Sequence, residues 1–203
     1  MTPPSEPLIP IAPGAFEQDR PAGLFYRLKV DLMGGGRLEV RTLLFVAGVR
    51  IVRSFPFGGA FDPSRCNPDM CGSYRHDDEG QVTVRWDDGR VDQWRYARTP
   101  EGFELDGDGF KPARPLTEAE LIGTWAGAGN VGNPAANAYT FGSGGTFTFG
   151  AGQSSVGGRY RLDGLTLSLA FADGSQVQRT LFAAGSGEPV GLVCVEGDAY
   201  RRQ

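Results

Sequence analysis

GTWAGAGNVG, residues 123–132, carries two incompatible readings. Its second half, GAGNVG, has the G-x-G-x-x-G spacing that lets backbone amides cradle a dinucleotide pyrophosphate. Its first half, GTW, reads as the opening strand of a small β-barrel. A pyrophosphate loop follows a strand, opens a long helix, and is answered about 20 residues later by an acidic side chain for the ribose. Here Asn133-Pro134-Ala135-Ala136-Asn137 follows, then the strand-like YTFGSGGTFTF, and GAGQS at 150–154 offers no carboxylate. The nucleotide reading fails on context, which leaves the barrel.

Working outward, the chain can be laid over itself. GSYRHDDEGQVTVRWDDG (72–89) matches GRYRLDGLTLSLAFADG (158–174) with one single-residue gap. LDGDGFK (105–111) sits over VEGDAYR (195–201), FVAGVRIVRSF (45–55) over FGSGGTFTFGA (141–151), and Gly23-Leu24-Phe25 over Gly123-Thr124-Trp125. The spacing drifts as loops vary and strands persist, and it is too long for a solenoid repeat. The expected organisation is an extended Pro-rich arm over 1–22, a first module over 23–113 and a second over 114–203.

Within each copy the signal is period two. In QVTVRW (81–86), Val82, Val84 and Trp86 face one way, Thr83 and Arg85 the other; in LTLSLAF (165–171), Leu165, Leu167, Leu169 and Phe171 alternate with Thr166, Ser168 and Ala170. Such alternation makes strands with one buried face. Asp88-Gly89 and Asp173-Gly174 stand where hairpin turns belong. RLEVRTLLFV (37–46), VRIVRSF (49–55) and RVDQWRYA (90–97) add strands, for six to eight per copy in hairpin order. The 31 glycines punctuate these runs as turn residues. Helix signal is confined to LTEAELIG (116–123), where Thr117 and Glu120 form a capping box after the linker KPARP. The fold class is therefore all-β: two tandem small antiparallel meander β-barrels with a short helix before the second.

A short helical turn, G-x-W on a first strand, antiparallel strands and a terminal Arg together resemble the lipocalin-like (calycin) pattern. In that family the Trp closes one barrel end and an Arg from the last strand packs across it. The resemblance implies that Trp125 closes the barrel with an arginine that follows Tyr200, Arg201 or Arg202, of which Arg201 is the expected partner. A guanidinium over an indole face gains about 0.5–2 kcal/mol. In the first copy Phe25 stands in the place of Trp125, and Lys111 in that of Arg201. Barrels this small can be filled by their own side chains, so a ligand cavity does not follow from the fold.

The composition excludes several functions. A net charge of −4, with 18 Arg and two Lys and no basic cluster, argues against nucleic acid as partner. No apolar run approaches the roughly 18 residues of a membrane span, and no signal peptide is visible, so the expected location is cytoplasmic. His76 is the single histidine. Beside Asp77 and Asp78 it reads as an acid–base dyad or as a solvated turn residue, and one histidine leaves little material for a catalytic triad or a zinc site. Cys66 and Cys71 (CNPDMC) read as loop thiols or as a disulfide pair, and Cys194 as a small apolar strand residue. DGDG at 106–109 resembles a calcium loop, but Phe110 and Thr117 stand where further oxygen ligands belong, so it reads as a hairpin turn. No catalytic residue, cofactor or metal is expected.

SFPFGGAFDPSRC (54–66) interleaves Phe55, Phe57 and Phe61 with Pro and Gly. These rings either cap the first barrel or form an aromatic loop that seats a partner. The expected function is a non-catalytic binding or assembly protein that engages a protein partner or a sister subunit through its N-terminal arm. The alternative is a carrier of a small apolar ligand, in a cavity lined by residues such as Val82, Val84 and Trp86.

Overall fold

The computed structural model describes residues 8–31, 37–46, 50–54, 58–77, 79–128, 137–150, 155–185, 187 and 189–203. By compactness the chain divides into two units, Met1–Arg27 with Arg41–Pro56 and Ala60–Ala113, and Leu28–Val40 with Phe57–Gly59 and Arg114–Gln203.

Strands β1 (Ile9–Pro10), β2 (Ala15–Glu17), β3 (Arg20–Asp31), β4 (Arg37–Val46), β5 (Arg50–Arg53), β6 (Ala60–Phe61), β7 (Cys71–His76), β8 (Gln81–Trp86), β9 (Val91–Thr99), β10 (Gly102–Leu105) and β11 (Asp108–Pro112) make up the first half. The strands from β3 to β11, β6 excepted, pair in chain order, and β11 returns to β3 with Lys111 opposite Tyr26 and Pro112 opposite Phe25. That pairing closes an eight-stranded antiparallel barrel, with β2 added to β3 as a ninth strand. After the helical turn α1 (Glu118–Leu121), a second barrel closes through β12 (Gly123–Gly127), β13 (Ala138–Gly142), β14 (Thr146–Phe149), β15 (Val156–Asp163), β16 (Thr166–Phe171), β17 (Gln176–Ala183), β18 (Leu192–Val195) and β19 (Asp198–Arg202). The fold class read from alternation holds: two tandem closed barrels of antiparallel strands, eight in each, with one short helix before the second.

The two barrels share register as well as strand order. Phe45 opposite Ile51 corresponds to Phe141 opposite Phe147, and Gly72 opposite Trp86 to Gly158 opposite Phe171. Phe103 opposite Phe110 corresponds to Val193 opposite Tyr200. The last hairpin of each turns on a pair of left-handed residues, Asp106 (φ 51°) and Gly107 (84°) in one, Glu196 (50°) and Gly197 (83°) in the other. Two positive φ values in a two-residue loop give the twist that antiparallel strands require. DGDG is thus a hairpin turn. Gly72 and Gly158 are needed for a different reason: a Cβ there would stand 2.5 Å from the Arg85 carbonyl oxygen and 2.0 Å from that of Ala170.

Alternation fills each interior. Val82, Val84 and Trp86 join Phe25, Phe45 and Phe103 in one buried cluster, and Leu167, Leu169 and Leu181 join Trp125, Phe141 and Phe147 in the other. In the first barrel the rings meet mostly edge to face, Phe25 lying 5.0 Å from Phe103 and 5.9 Å from Phe45. The three residues expected to line a ligand cavity are packed core.

The described part of the Pro-rich segment is built into the first unit. β1 pairs with β6, setting Ile9 opposite Phe61; Ile11 is buried; Pro13 forms a parallel bridge with Leu24; and β2 pairs with the start of β3. Proline is tolerated in such short border strands because its missing N–H leaves no interior ladder bond unmade. Residues 1–7 lie outside the described residues. Among the described residues no helix is long and apolar enough to cross a membrane.

Candidate functional site

Each barrel has one end covered by the segment that leads into its first strand. In the second barrel this is α1. Thr117 accepts from the Glu120 amide, and the Glu120 carboxylate accepts from the Thr117 amide at 2.8 Å, which completes the capping box. Arg114 bonds the same carboxylate at 2.9 Å. Those contacts, the guanidinium first, hold the Glu120 carboxyl down at about 2. Leu121 is fully buried beneath the turn, and its carbonyl accepts from Trp125 Nε1 at 2.7 Å.

The guanidinium over Trp125 belongs to Arg202, 4.6 Å from the ring centroid. It also donates to the Val190 carbonyl at 3.2 Å, to that of Ile122 at 3.2 Å and to that of Glu120, the last two being carbonyls the short helix leaves open. Arg201 is exposed and opposes Ala126, whereas Arg202 opposes Trp125. The closing arginine is therefore Arg202 and not Arg201, because neighbours along a strand point to opposite faces.

In the first barrel the covering segment is the hairpin of β2 and β3, which turns on Gln18 (φ 49°) and Asp19 (63°). Phe16 lies 5.2 Å from Phe25, and the Arg98 guanidinium stacks 3.3 Å from the Phe16 centroid. Arg98 donates to the Thr99 carbonyl at 2.6 Å and to that of Gly102. Tyr96 pins the turn, its hydroxyl donating to the Asp19 carbonyl at 2.9 Å.

Beneath this hairpin lies a cleft of about 640 Å³ lined by Glu17, Gln18, Arg20, Pro21, Ala22, Phe45, Val46, Tyr74, Arg75 and His76. One wall is the end of β7: Ser73 stands opposite Arg50 of β5, and Tyr74, Arg75 and His76 follow it along the cleft. Phe45 meets Tyr74 edge to face at 5.2 Å. Burial pushes the Tyr74 phenol above its ordinary value; Arg20 pulls it back and Glu17 adds to the rise.

His76 is not set up as a dyad with its neighbour. Its Nδ1 meets the Asp77 carbonyl oxygen at 3.0 Å, while the Asp77 carboxylate accepts from the amides of Glu79 (3.0 Å) and Gln81 (2.8 Å). With Nδ1 as the donor, Nε2 is left as a buried acceptor. The ring packs edge-on to Tyr96 at 4.6 Å. Asp78 lies outside the described residues.

The second barrel repeats the cleft. β14 ends its pairing with β15 at Thr146 opposite Arg159, and Tyr160, Arg161 and Leu162 run on. A cleft of about 820 Å³ is lined there by Pro115, Leu116, Glu118, Gly144, Gly145, Arg159, Tyr160, Arg161, Leu162 and Gly164. The Tyr160 hydroxyl approaches the Glu118 carboxylate at 3.5 Å, and its phenol is raised by burial, then by that neighbour.

Of the aromatic loop, Phe61 is 3% exposed and paired with β1, so its ring is not a surface anchor. Phe55 and Phe57 lie outside the described residues. Cys66 and Cys71 form a disulfide, and Cys194 is fully buried, which pushes its thiol up. Among the described residues, no three His, Cys, Asp or Glu side chains come together to hold a metal. Comparison with family models, curated proteins and solved structures gave no match. The sequence reading missed Glu17, Arg20, Tyr74 and Arg75 as a group. The available signal is the Tyr-Arg pair common to GSYRH and GRYRL, which the repeat by itself already accounts for.

Proposed function

We propose that the chain is a non-catalytic binding protein made of two lipocalin-like β modules, and that it takes a small molecule at the mouth of its first barrel. The meander order, the helical turn before Gly123 and the Arg202–Trp125 stack support the lipocalin-like assignment. The observation that carries the binding reading is the cleft under the β2–β3 hairpin. Its volume falls within the roughly 300–1,000 Å³ of small-molecule sites, and it combines aromatic walls with a few convergent charged groups. The packed interior moves the site from the barrel lumen, where an apolar carrier would hold its cargo, to the mouth. Amide chemical-shift mapping against a fragment set tests it. Shifts should cluster at residues 17–22, 45–46 and 74–76; fragments that perturb only residues elsewhere count against the reading.

A protein partner engaged through the N-terminal segment is a second reading, favoured by Leu8, which is 63% exposed beside the short β1–β6 ribbon. Removing residues 1–8 should then lower the assembly size measured by light scattering, and an unchanged mass sinks it. The Cys66–Cys71 disulfide supports an oxidising compartment over the cytoplasm. Thiol alkylation of freshly extracted protein, with and without reductant, tests this, and full alkylation without reductant restores the cytoplasmic reading.

A further inference from the structure

Resting on the reading above, we infer that both barrel mouths bind the same class of ligand, a small amphipathic monoanion such as an aromatic carboxylate or sulfonate, so that one chain holds two. The two clefts occupy the same place in the barrel frame, beside the Tyr-Arg pairs that follow Ser73 on β7 and Arg159 on β15.

Their charged lining is equivalent in kind although not in position. The first holds Arg20, Arg75, Glu17 and Tyr74; the second holds Arg159, Arg161, Glu118 and Tyr160. Only the Tyr-Arg pair is inherited at matching strand positions. The second arginine comes from the covering hairpin in one barrel and from the strand in the other, where Ser73 corresponds to Arg159. Two guanidinium groups against one carboxylate have thus been kept by different routes.

The local frame uses none of these four arginines. All four are exposed, and none has an ion-pair partner among the described residues, whereas Arg50, Arg90 and Arg114 are each paired with a carboxylate. Glu118 is partly occupied by the Tyr160 hydroxyl, and Asp77 by its own turn. Among the described lining residues, each cleft carries one more guanidinium than carboxylate. Guanidinium forks match the planar oxygens of a carboxylate or the oxygens of a sulfonate. The walls beside them are apolar: Pro21, Val46 and the Tyr74 ring in one, Leu116 and Leu162 in the other. A flat apolar body carrying one negative group fits both features.

Isothermal titration of the full chain with 1-naphthoate, 1-naphthalenesulfonate, neutral 1-naphthalenemethanol and cationic 1-naphthylmethylammonium tests the inference. Both anions should bind with a stoichiometry of two per chain, at least about tenfold more tightly than the alcohol or the amine, the size expected from a charge-assisted hydrogen bond. Arg20→Gln with Arg75→Gln should reduce the stoichiometry to one, and so should Arg159→Gln with Arg161→Gln. The four together should abolish binding while the circular dichroism spectrum stays that of the parent. Equal binding of the alcohol or amine overturns the ligand class and leaves mouth binding standing. A stoichiometry of one, lost with Arg20 and Arg75 alone, overturns the twin site while the first-barrel reading survives. If no probe of any charge binds, both fall.

Discussion

The first barrel covers the end beside Phe25 with a two-stranded hairpin; the second covers the end beside Trp125 with a single helical turn. In one, the sealing ring is Phe16 under Arg98, drawn from β2 and β9. In the other it is Trp125 under Arg202, drawn from β12 and β19. Both arginines also satisfy backbone carbonyls, at Thr99 and Gly102 or at Glu120, Ile122 and Val190. The strand frame is held to one register by its turns and close-approach glycines. What covers its end is free to change, provided that an apolar ring fills it and a cation caps the ring.

The largest effect should come from removing the buried ring at each covered end. Trp125→Ala and Phe25→Ala each remove a fully buried ring and should cost about 3–5 kcal/mol in urea unfolding. A loss below about 1 kcal/mol at either would mean that the covered end of that barrel does not depend on its buried ring. Next, Gly72→Ala and Gly158→Ala should destabilise in parallel, each by about 1–3 kcal/mol, because backbone must shift to admit the methyl group. One substitution tolerated and the other not would break the claim of a common frame.

Arg202→Ala should cost about 1–2 kcal/mol from the lost stack and carbonyl contacts, and Arg201→Ala less than about 0.5 kcal/mol. The reverse order would reinstate Arg201 as the closing residue. A smaller effect than that of Arg202 concerns a device peculiar to the second barrel. Thr117→Ala should cost about 1 kcal/mol. Because the Glu120 carboxyl is held below its ordinary 4.5, its contribution is complete above that pH and fades as pH falls toward about 2. Amide exchange at residues 118–121 should quicken across that window in the parent and not in Glu120→Gln. Equal acceleration in both would detach the pH response from this carboxyl.

Strand identity was legible because period-two alternation survives in both copies and the turn residues fall at matching places. The closing arginine was harder. LDGDGFK over VEGDAYR aligns Arg201 with Lys111, but which of two adjacent arginines faces the Trp depends on how β19 meets β12 when the sheet closes. A one-residue slip exchanges the faces, and nothing local to the sequence sets that closure. The woven N-terminal segment was illegible for another reason: strands of two or three residues interrupted by Pro10 and Pro13 are too short to display a period. The clefts draw on the covering segment and on distant strand ends, so only Tyr74-Arg75 and Tyr160-Arg161 left a trace that could be read.

Closure of both sheets also bears on how the protein behaves when crowded. Unpaired strand borders recruit other chains into ordered aggregates, and a sheet joined to itself offers none. Among the described residues, the borders that remain are short: β2, three residues long, the two-residue ribbon of β1 and β6 with Pro10 in it, and the ends of β7 and β15 beyond Ser73 and Arg159. A chain so rich in β structure should therefore stay dispersed at concentrations where open sheets of similar content form fibrils.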